Sequence, residues 1–306
     1  MLSGLSVVIP VFDGRPVVAD CLAALLAQTC PPVEIVVVDD ASSDGSASWI
    51  EHHVPQVTVV RNPHNLGFPK ACNVGLEQTS GAAVAILNQD ASVDPRWAEA
   101  MLEAFRSDPS IGIVGGLGFA SDGELSHAGG TLDARCQAHH RLELAAPPGS
   151  SQLQPAEFVT GASLAISRAA LDEVGGLDEA YSPAYYEDVD WCFRVRAAGW
   201  RVVVAYGVLY THLEESRLAD GSADFAVQFH RNRLRFAARN LDDPGFEALL
   251  SAELEALERR EAAEPWAGMP QVLRVQLLDT YWGSELWSRG ARPESPHGLM
   301  ETYHEV

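Results

Sequence analysis

Glu34-Ile35-Val36-Val37-Val38-Asp39-Asp40-Ala41-Ser42-Ser43-Asp44-Gly45-Ser46 is a β-branched apolar run that stops on two acids and a Ser-rich turn. Its apolar part does not alternate with polar residues, as expected of a strand covered on both faces. Ser6–Pro10, Val57–Arg61 and Ala83–Leu87 are further runs of this kind. Helical signals separate them. Val18, Leu22, Leu25 and Leu26 are predicted to share one helical face, and Asp44 to cap a second helix starting near Gly45. A third helix is expected after Gly67, with Pro95 as the first residue of a fourth. Alternating strands and helices predict a mostly parallel α/β sheet flanked by helices. Ligands in such sheets sit outside the C-terminal strand ends. The polar residues expected there are Asp13, Asp39-Asp40 and Asn88-Gln89-Asp90.

Further along, Ile111–Pro155 is rich in Gly, Ser, His and Pro and predicts irregular loops and short strands. Phe158–Ser167 predicts a strand, and Arg168–Val174 a short helix ended by Gly175-Gly176. A helix from Glu187 to Gly199 is followed by the apolar strand Arg201–Ala205. Beyond Asp220 the pattern becomes helical and acidic.

The 306 residues suffice for one large domain with an appendage. A net charge of −21 argues against nucleic acid as a partner. An anionic substrate would therefore need a metal ion or a local basic group. Five scattered cysteines without a C-x-x-C spacing predict reduced, packed thiols and no zinc site. The start of the chain lacks the features of a signal peptide, and no apolar run has the length of a membrane span. The expected location is cytoplasmic, either free or peripheral to the inner face of the membrane.

Tyr185-Tyr186-Glu187-Asp188-Val189-Asp190-Trp191-Cys192-Phe193-Arg194 packs three carboxylates into four residues at a helix start. A helix N-terminus tolerates negative charge, and clustered acids raise each other's pKa, which suits a positioned base. The plainer reading is an acidic first turn with Asp190 and Arg194 as an i,i+4 pair. Asp39 suits hydrogen bonding to a nucleobase or ribose, or is simply a turn residue. Asn65 to Gly75, with Gly67 and Lys70, offers backbone N–H groups and a point charge to phosphate, or is a plain loop-to-helix junction. Asn88-Gln89-Asp90 resembles D-x-D with its first acid replaced by an amide. Asp90 would need a second protein ligand for a divalent cation, and His212 is the candidate. His52-His53 and His139-His140 have no metal-spaced partners and are expected to be solvated.

Taken in order, these motifs resemble the inverting family 2 glycosyltransferases of GT-A fold, particularly their rhamnosyltransferase-like branch. The resemblance rests on VVIPVF, VVVDDASSDGS, NLGFPKACNVG, LNQDASVDP, FVTGASLAISRAALDEVGGLDEAY, YYEDVDWCFRVRAAGW and Thr211-His212, and covers about residues 5–240. It implies a catalytic domain over 1–220, with a nucleotide-binding half to about 110 and an acceptor and catalytic half from about 111. Residues 221–306 would form a helical C-terminal extension. Asp39 would read the base, and Pro10, Val11, Phe12 and Asp13 would line the nucleoside. Gly67 and Lys70 would lie near the diphosphate, with Asn88 and Gln89 beside the donor. Asp90 and His212 would hold Mg²⁺ or Mn²⁺. Asp188 would be the catalytic base, Glu187 would orient donor or acceptor, and Gly161 and Ala162 would floor the sugar and acceptor site. Asn88 in place of an acid, Asp13 where Asn is frequent, and Pro69 in a small-residue stretch depart from the family pattern.

The implied reaction moves a sugar from a nucleotide diphosphate, of the dTDP-rhamnose or UDP-sugar class, to a hydroxyl of a glycan, lipid-linked or small-molecule acceptor. The alternatives are a sugar nucleotidyltransferase and a non-catalytic sugar-nucleotide or glycan-binding module. The first lacks its usual Gly-rich loop at Val11–Pro16, and the second leaves the acidic set unexplained. In the tail, Phe225, Phe229, Leu234 and Phe236 alternate with Arg231, Arg233, Arg235 and Arg239. This segment either packs with its arginines paired to local acids, or shapes an acceptor site or homodimer contact together with Trp266, Trp282 and Trp287.

Overall fold

The computed structural model describes residues 4–213 and 223–258. Trp266, Trp282 and Trp287, with the tail role expected of them, lie outside the described residues. Residues 4–131 and 138–213 belong to one compact unit; residues 132–137 and 223–258 belong to a second.

The first unit is built on β1 (Leu5–Val11), α1 (Val18–Leu26), β2 (Glu34–Asp39), α2 (Ser46–His53), β3 (Thr58–Arg61), α3 (Phe68–Glu77) and β4 (Ala83–Leu87). There follow β5 (Ala91–Val93), α4 (Trp97–Ser107), β6 (Ile111–Phe119), β7 (Leu125–His127), β8 (Gly130–Leu132), β9 (Ala138–His140) and β10 (Leu153–Pro155). It closes with β11 (Ser163–Ser167), α5 (Arg168–Val174), α6 (Glu187–Ala197) and β12 (Arg201–His212). The main sheet runs β10-β12-β6-β11-β4-β1-β2-β3, with β5 added to β12 and β7 to β6. The pairs β4-β1, β1-β2 and β2-β3 are parallel, so their C-terminal ends share one edge. β11 runs antiparallel to β4 and β6, which brings its N-terminal end, just after Ala162, to that edge as well.

Several expectations need correction. Leu26 is 41% exposed, and Cys21 takes its place in the buried stripe with Val18, Leu22 and Leu25. Eight residues span more than two full turns by about 80°, which carries Leu26 off the face. α4 begins at Trp97, because Asp94 accepts the Arg96 N–H and holds Pro95 in the preceding turn. Ile111–Phe119 is a long buried strand and not a loop. Its glycines permit close layer contact: a Cβ on Gly116 would lie 2.5 Å from the Val208 carbonyl oxygen. The strand expected over Phe158–Ser167 starts only at Ser163, since Thr160–Ala162 form a turn. The strand expected over Arg201–Ala205 continues to His212. All five cysteines are free, and four are buried.

The second unit contains α7 (Ala223–Asn240) and α8 (Asp243–Glu258). Leu234, Phe236, Phe246 and Leu250 are buried. Arg233 is fully buried and donates to Glu253 at 3.1 Å and to the Arg135 carbonyl at 2.6 Å. For Arg233 the expected pairing of a tail arginine to a local acid is therefore present. No helix among the described residues is long and apolar enough to cross a membrane.

Candidate active site

Asp39 ends β2 in a buried position, 3% exposed, and its Oδ1 has no hydrogen-bond partner. A buried acceptor left open at a ligand-bearing sheet edge suits an incoming N–H or O–H donor. Asp40 does different work. Its carboxylate accepts from Asn62 Nδ2 at 2.8 Å, from the Leu66 N–H and from the Gly67 N–H at 2.9 Å. Phe68 N–H donates to the Pro183 carbonyl. The backbone donors expected to face phosphate around Gly67 are therefore already used within the protein. Lys70, in the first turn of α3, makes no ion pair among the described residues and is what remains of that expectation.

The β1 end is held by side chains that the sequence pattern assigned to ligand. Asp13, at φ 44°, accepts the Ser43 N–H at 2.6 Å and so ties this loop to the Ser-rich turn. Gln89 Oε1 accepts the Phe12 N–H at 3.0 Å, and its Nε2 donates to the Phe12 carbonyl. Asp44 takes the Arg15 and Ser46 N–H groups, joining the two loops while holding the first turn of α2. Pro10 and Val11 complete the strand opposite Val38 and Asp39.

β5 pairs with the end of β12, setting His212 opposite Ala91 and thereby beside Asp90. His212 Nε2 lies 3.0 Å from Asp90 Oδ1 and 3.1 Å from Asn88 Nδ2, while Asn88 Oδ1 is buried without a partner. A carboxylate oxygen and an imidazole nitrogen meeting at one point, with the Asn88 amide beside them, fit a divalent cation that prefers oxygen and tolerates nitrogen. No cluster of three or more His, Cys, Asp or Glu is found among the described residues. The described residues leave the remaining positions of such an ion open.

α6 is entered through Tyr185 and Tyr186, both left-handed, at φ 78° and 71°. Such backbone costs roughly 1–3 kcal/mol per residue and clusters at functional sites. Tyr186 is buried, and its hydroxyl accepts the Ala138 N–H. Past this turn the three acids separate. Asp190 is buried between Tyr181 Oη at 3.2 Å and Arg194 Nε at 2.7 Å, so the plain ion-pair reading holds for it. Asp188 is half-buried, with Oδ2 accepting the Gly161 N–H at 2.8 Å and Oδ1 the Val189 N–H at 2.7 Å. Burial raises its pKa, while these N–H donors and the His140 charge pull it back. Glu187 points inward and is 6% exposed, with Oε2 unpartnered. Burial, and then the Asp188 charge, hold its pKa well above the ordinary carboxylate range.

Residues 6–175 match the family described as Glycosyl transferase family 2. The chain belongs to that family. An uncharacterized protein, y4gI, of Sinorhizobium fredii is 29% identical over 81% of this chain, which spans only 29% of that protein's length. The N-acetylglucosaminyl-diphospho-decaprenol L-rhamnosyltransferase of Mycobacterium tuberculosis is 26% identical over 78% of this chain and 85% of its own. Among solved structures, GalNAc-T7 with UDP, GalNAc and Mn²⁺ superposes with a TM-score of 0.65 at 17% identity, over 91% of this chain and 54% of that one. The fold is that of the GT-A glycosyltransferases, and the enzyme class is glycosyltransferase.

For this family 2 glycosyltransferase, Glu187 gives a direct physical test. Its native pKa lies above its unfolded one, so the native state keeps the proton to higher pH and stability declines as pH rises through that interval. Glu187→Gln removes the titration. The expected result in urea denaturation is a variant that gains stability over wild type as pH is raised from acid to neutral. A constant difference across that range would show that Glu187 does not hold its proton.

His127 escaped the sequence analysis. It is 2% exposed, and burial pushes its pKa well below the ordinary imidazole value. His140 was expected to be merely solvated. It is exposed, yet its ring stands edge-on against His127 with centroids 4.6 Å apart. Spacing gave no signal, because the two are thirteen positions apart on strands with β8 between them.

Proposed function

We propose that this enzyme transfers a sugar from a nucleotide diphosphate to an acceptor hydroxyl in one displacement, with inversion at the anomeric carbon. The observation that carries the reading is Asp188: a half-exposed carboxylate whose two oxygens are each fixed by a backbone N–H. A base so held can receive the hydroxyl proton as the acceptor oxygen attacks, and its raised pKa makes it a stronger acceptor of that proton. No side chain needs to form a covalent bond to the sugar. Gly161 positions one Asp188 oxygen, and a Cβ there would reach 3.3 Å from the Phe68 ring, so the glycine keeps the floor of the site low.

In this reading residues 1–110 carry the donor and 111–220 the acceptor. Asp90 and His212 would hold Mg²⁺ or Mn²⁺, which when bound offsets negative charge on the diphosphate leaving group. The Mn²⁺ in the GalNAc-T7 structure supports this assignment. Lys70 would add a positive charge near the same phosphates. The mycobacterial rhamnosyltransferase supports rhamnose as the transferred sugar and a lipid-linked diphosphate acceptor over the other members of each class.

A thermal-shift panel of nucleoside diphosphates and their sugars with Mn²⁺ tests the donor class, because ligands of the native state raise its apparent stability. Transfer with release of nucleoside diphosphate is expected, and release of pyrophosphate would instead indicate nucleotidyl transfer. Asp39 supplies a sharper prediction. A buried carboxylate only accepts hydrogen bonds, so it favours bases that offer a ring N–H, namely uracil, thymine and guanine, over adenine and cytosine. Asp39→Ala should flatten the preference for UDP, dTDP or GDP over ADP and CDP by roughly tenfold or more, with smaller loss of phosphate affinity. An unchanged order of preference in competition binding would return Asp39 to the role of a turn residue.

A further inference from the structure

A cavity at the start of β12 belongs to none of the clusters assigned above. Its volume is about 430 Å³, and its walls include Arg141, Pro155, Glu157, Arg196, Trp200 and Arg201. Four segments meet there: the chain after β9, the turn after β10, the end of α6 and the first residue of β12. β12 runs 12 residues from this cavity to His212, so at about 3.3 Å per residue the Asp90–His212 pair is roughly 35 Å away. Along α6, Arg196 stands about 12 Å past Asp188 at 1.5 Å per residue.

Arg141 is fixed in place. Its Nη2 donates to the Pro155 carbonyl at 3.0 Å, and a Cβ on Gly129 would lie 2.5 Å from the same nitrogen. Its Nε is buried and has no hydrogen-bond partner. A guanidinium carries five N–H donors, so most of the capacity of this one is unspent. Arg196 lies over the Phe193 ring, 5.0 Å from its centroid. In a chain of net charge −21, neither arginine makes an ion pair among the described residues. A helix C-terminus favours a cation, which accounts for Arg196. It does not account for Arg141, which arrives from a different segment. Arg201 is paired with Asp108, and Glu157 brings a carboxylate to the wall, so Arg141 and Arg196 leave the balance positive.

We propose that this cavity is a binding site for a phosphoryl group, with Arg141 and Arg196 as its donors. Guanidinium forks match pairs of phosphate oxygens. The volume lies within the range of small-molecule sites, about 300–1,000 Å³, which leaves room beside Trp200 for whatever carries the phosphate. Two sources offer the same group: a free phosphorylated metabolite and a phospholipid headgroup.

Calorimetric titration of the full chain with inorganic phosphate tests the site. EDTA keeps cations off the Asp90–His212 pair, and chloride holds the ionic strength constant. Saturable binding is expected. Arg196→Gln, a change at an exposed side chain, should weaken it by about tenfold, and Arg141→Gln by at least as much. Lys70→Gln removes the same charge at the other edge of the sheet and should leave phosphate affinity as in wild type. Flotation with phosphatidylcholine vesicles, with and without phosphatidic acid, separates the sources. Capture that needs phosphatidic acid and is lost in Arg196→Gln supports the site with a headgroup as its ligand. Phosphate binding without vesicle capture supports it with a free phosphate ester. Absence of saturable phosphate binding in wild type, affinity unchanged in both arginine variants, or an equal loss in Lys70→Gln would overturn the inference.

Discussion

Asp188→Asn is expected to lose sugar transfer by about 10²- to 10⁴-fold, the range a positioned general base supplies. The amide preserves the shape of the side chain, and its oxygen can still accept the Gly161 N–H, so the turn and the fold should survive. What it cannot do is take the acceptor proton. Both kcat and kcat/KM should therefore fall together, while calorimetric binding of the nucleotide donor stays close to wild type. The pH dependence of the wild-type enzyme carries the same signature. The base must be ionised, and burial raises the pKa of Asp188, so activity should rise with pH through an inflection above the ordinary aspartate value. That inflection should vanish from the residual activity of the Asn variant. Near-normal kcat in Asp188→Asn would move the base elsewhere. Glu187 is a poor substitute, being buried away from solvent, with burial raising its pKa.

The nucleotide-binding half was legible in the sequence because its strands are short, apolar and continuous, and the polar residues that follow them fall at one sheet edge. The four strands β1 to β4 were found within a residue or so of their observed ends. The acceptor half was harder. Ile111–Phe119 is a central strand written with four glycines, and what makes it a strand is close packing against Val159, Trp200 and Val208 rather than any local propensity. The turn at Thr160–Ala162 was hidden for the opposite reason: its residues look like strand, but Gly161 N–H is needed by Asp188 27 positions away. Site residues divided along the same line. Asp39, Asp90, Asp188 and His212 were visible as strand- or helix-end polar groups. That Asp13, Gln89 and Asp40 spend their hydrogen bonds on other loops depends on which loops the sheet order places side by side. Nothing local marks His127, a core histidine defined by its partners.

Asp90→Ala should abolish most of the metal-dependent part of nucleotide affinity, by at least the roughly 10- to 100-fold that losing even a supporting group costs a metal site. Asp90 and His212 stand 3.0 Å apart with the Asn88 amide beside them, and among the described residues no third His, Cys, Asp or Glu joins them as a metal cluster. Removing the carboxylate removes the negative charge of that pair, whereas His212→Ala removes a nitrogen donor that brings no negative charge and should cost less. Asn88→Asp should act in the opposite direction. Its side chain already borders the pair through Nδ2, 3.1 Å from His212 Nε2, and an oxygen and a charge added there should tighten Mn²⁺ binding. Titration of dTDP and UDP with and without Mn²⁺ by calorimetry reads all three variants without needing the acceptor. The expected order of metal-dependent affinity is Asn88→Asp above wild type, then His212→Ala, then Asp90→Ala. Wild-type affinity with full Mn²⁺ dependence in both alanine variants would place the cation, and with it the diphosphate, somewhere other than the meeting of β5 and β12.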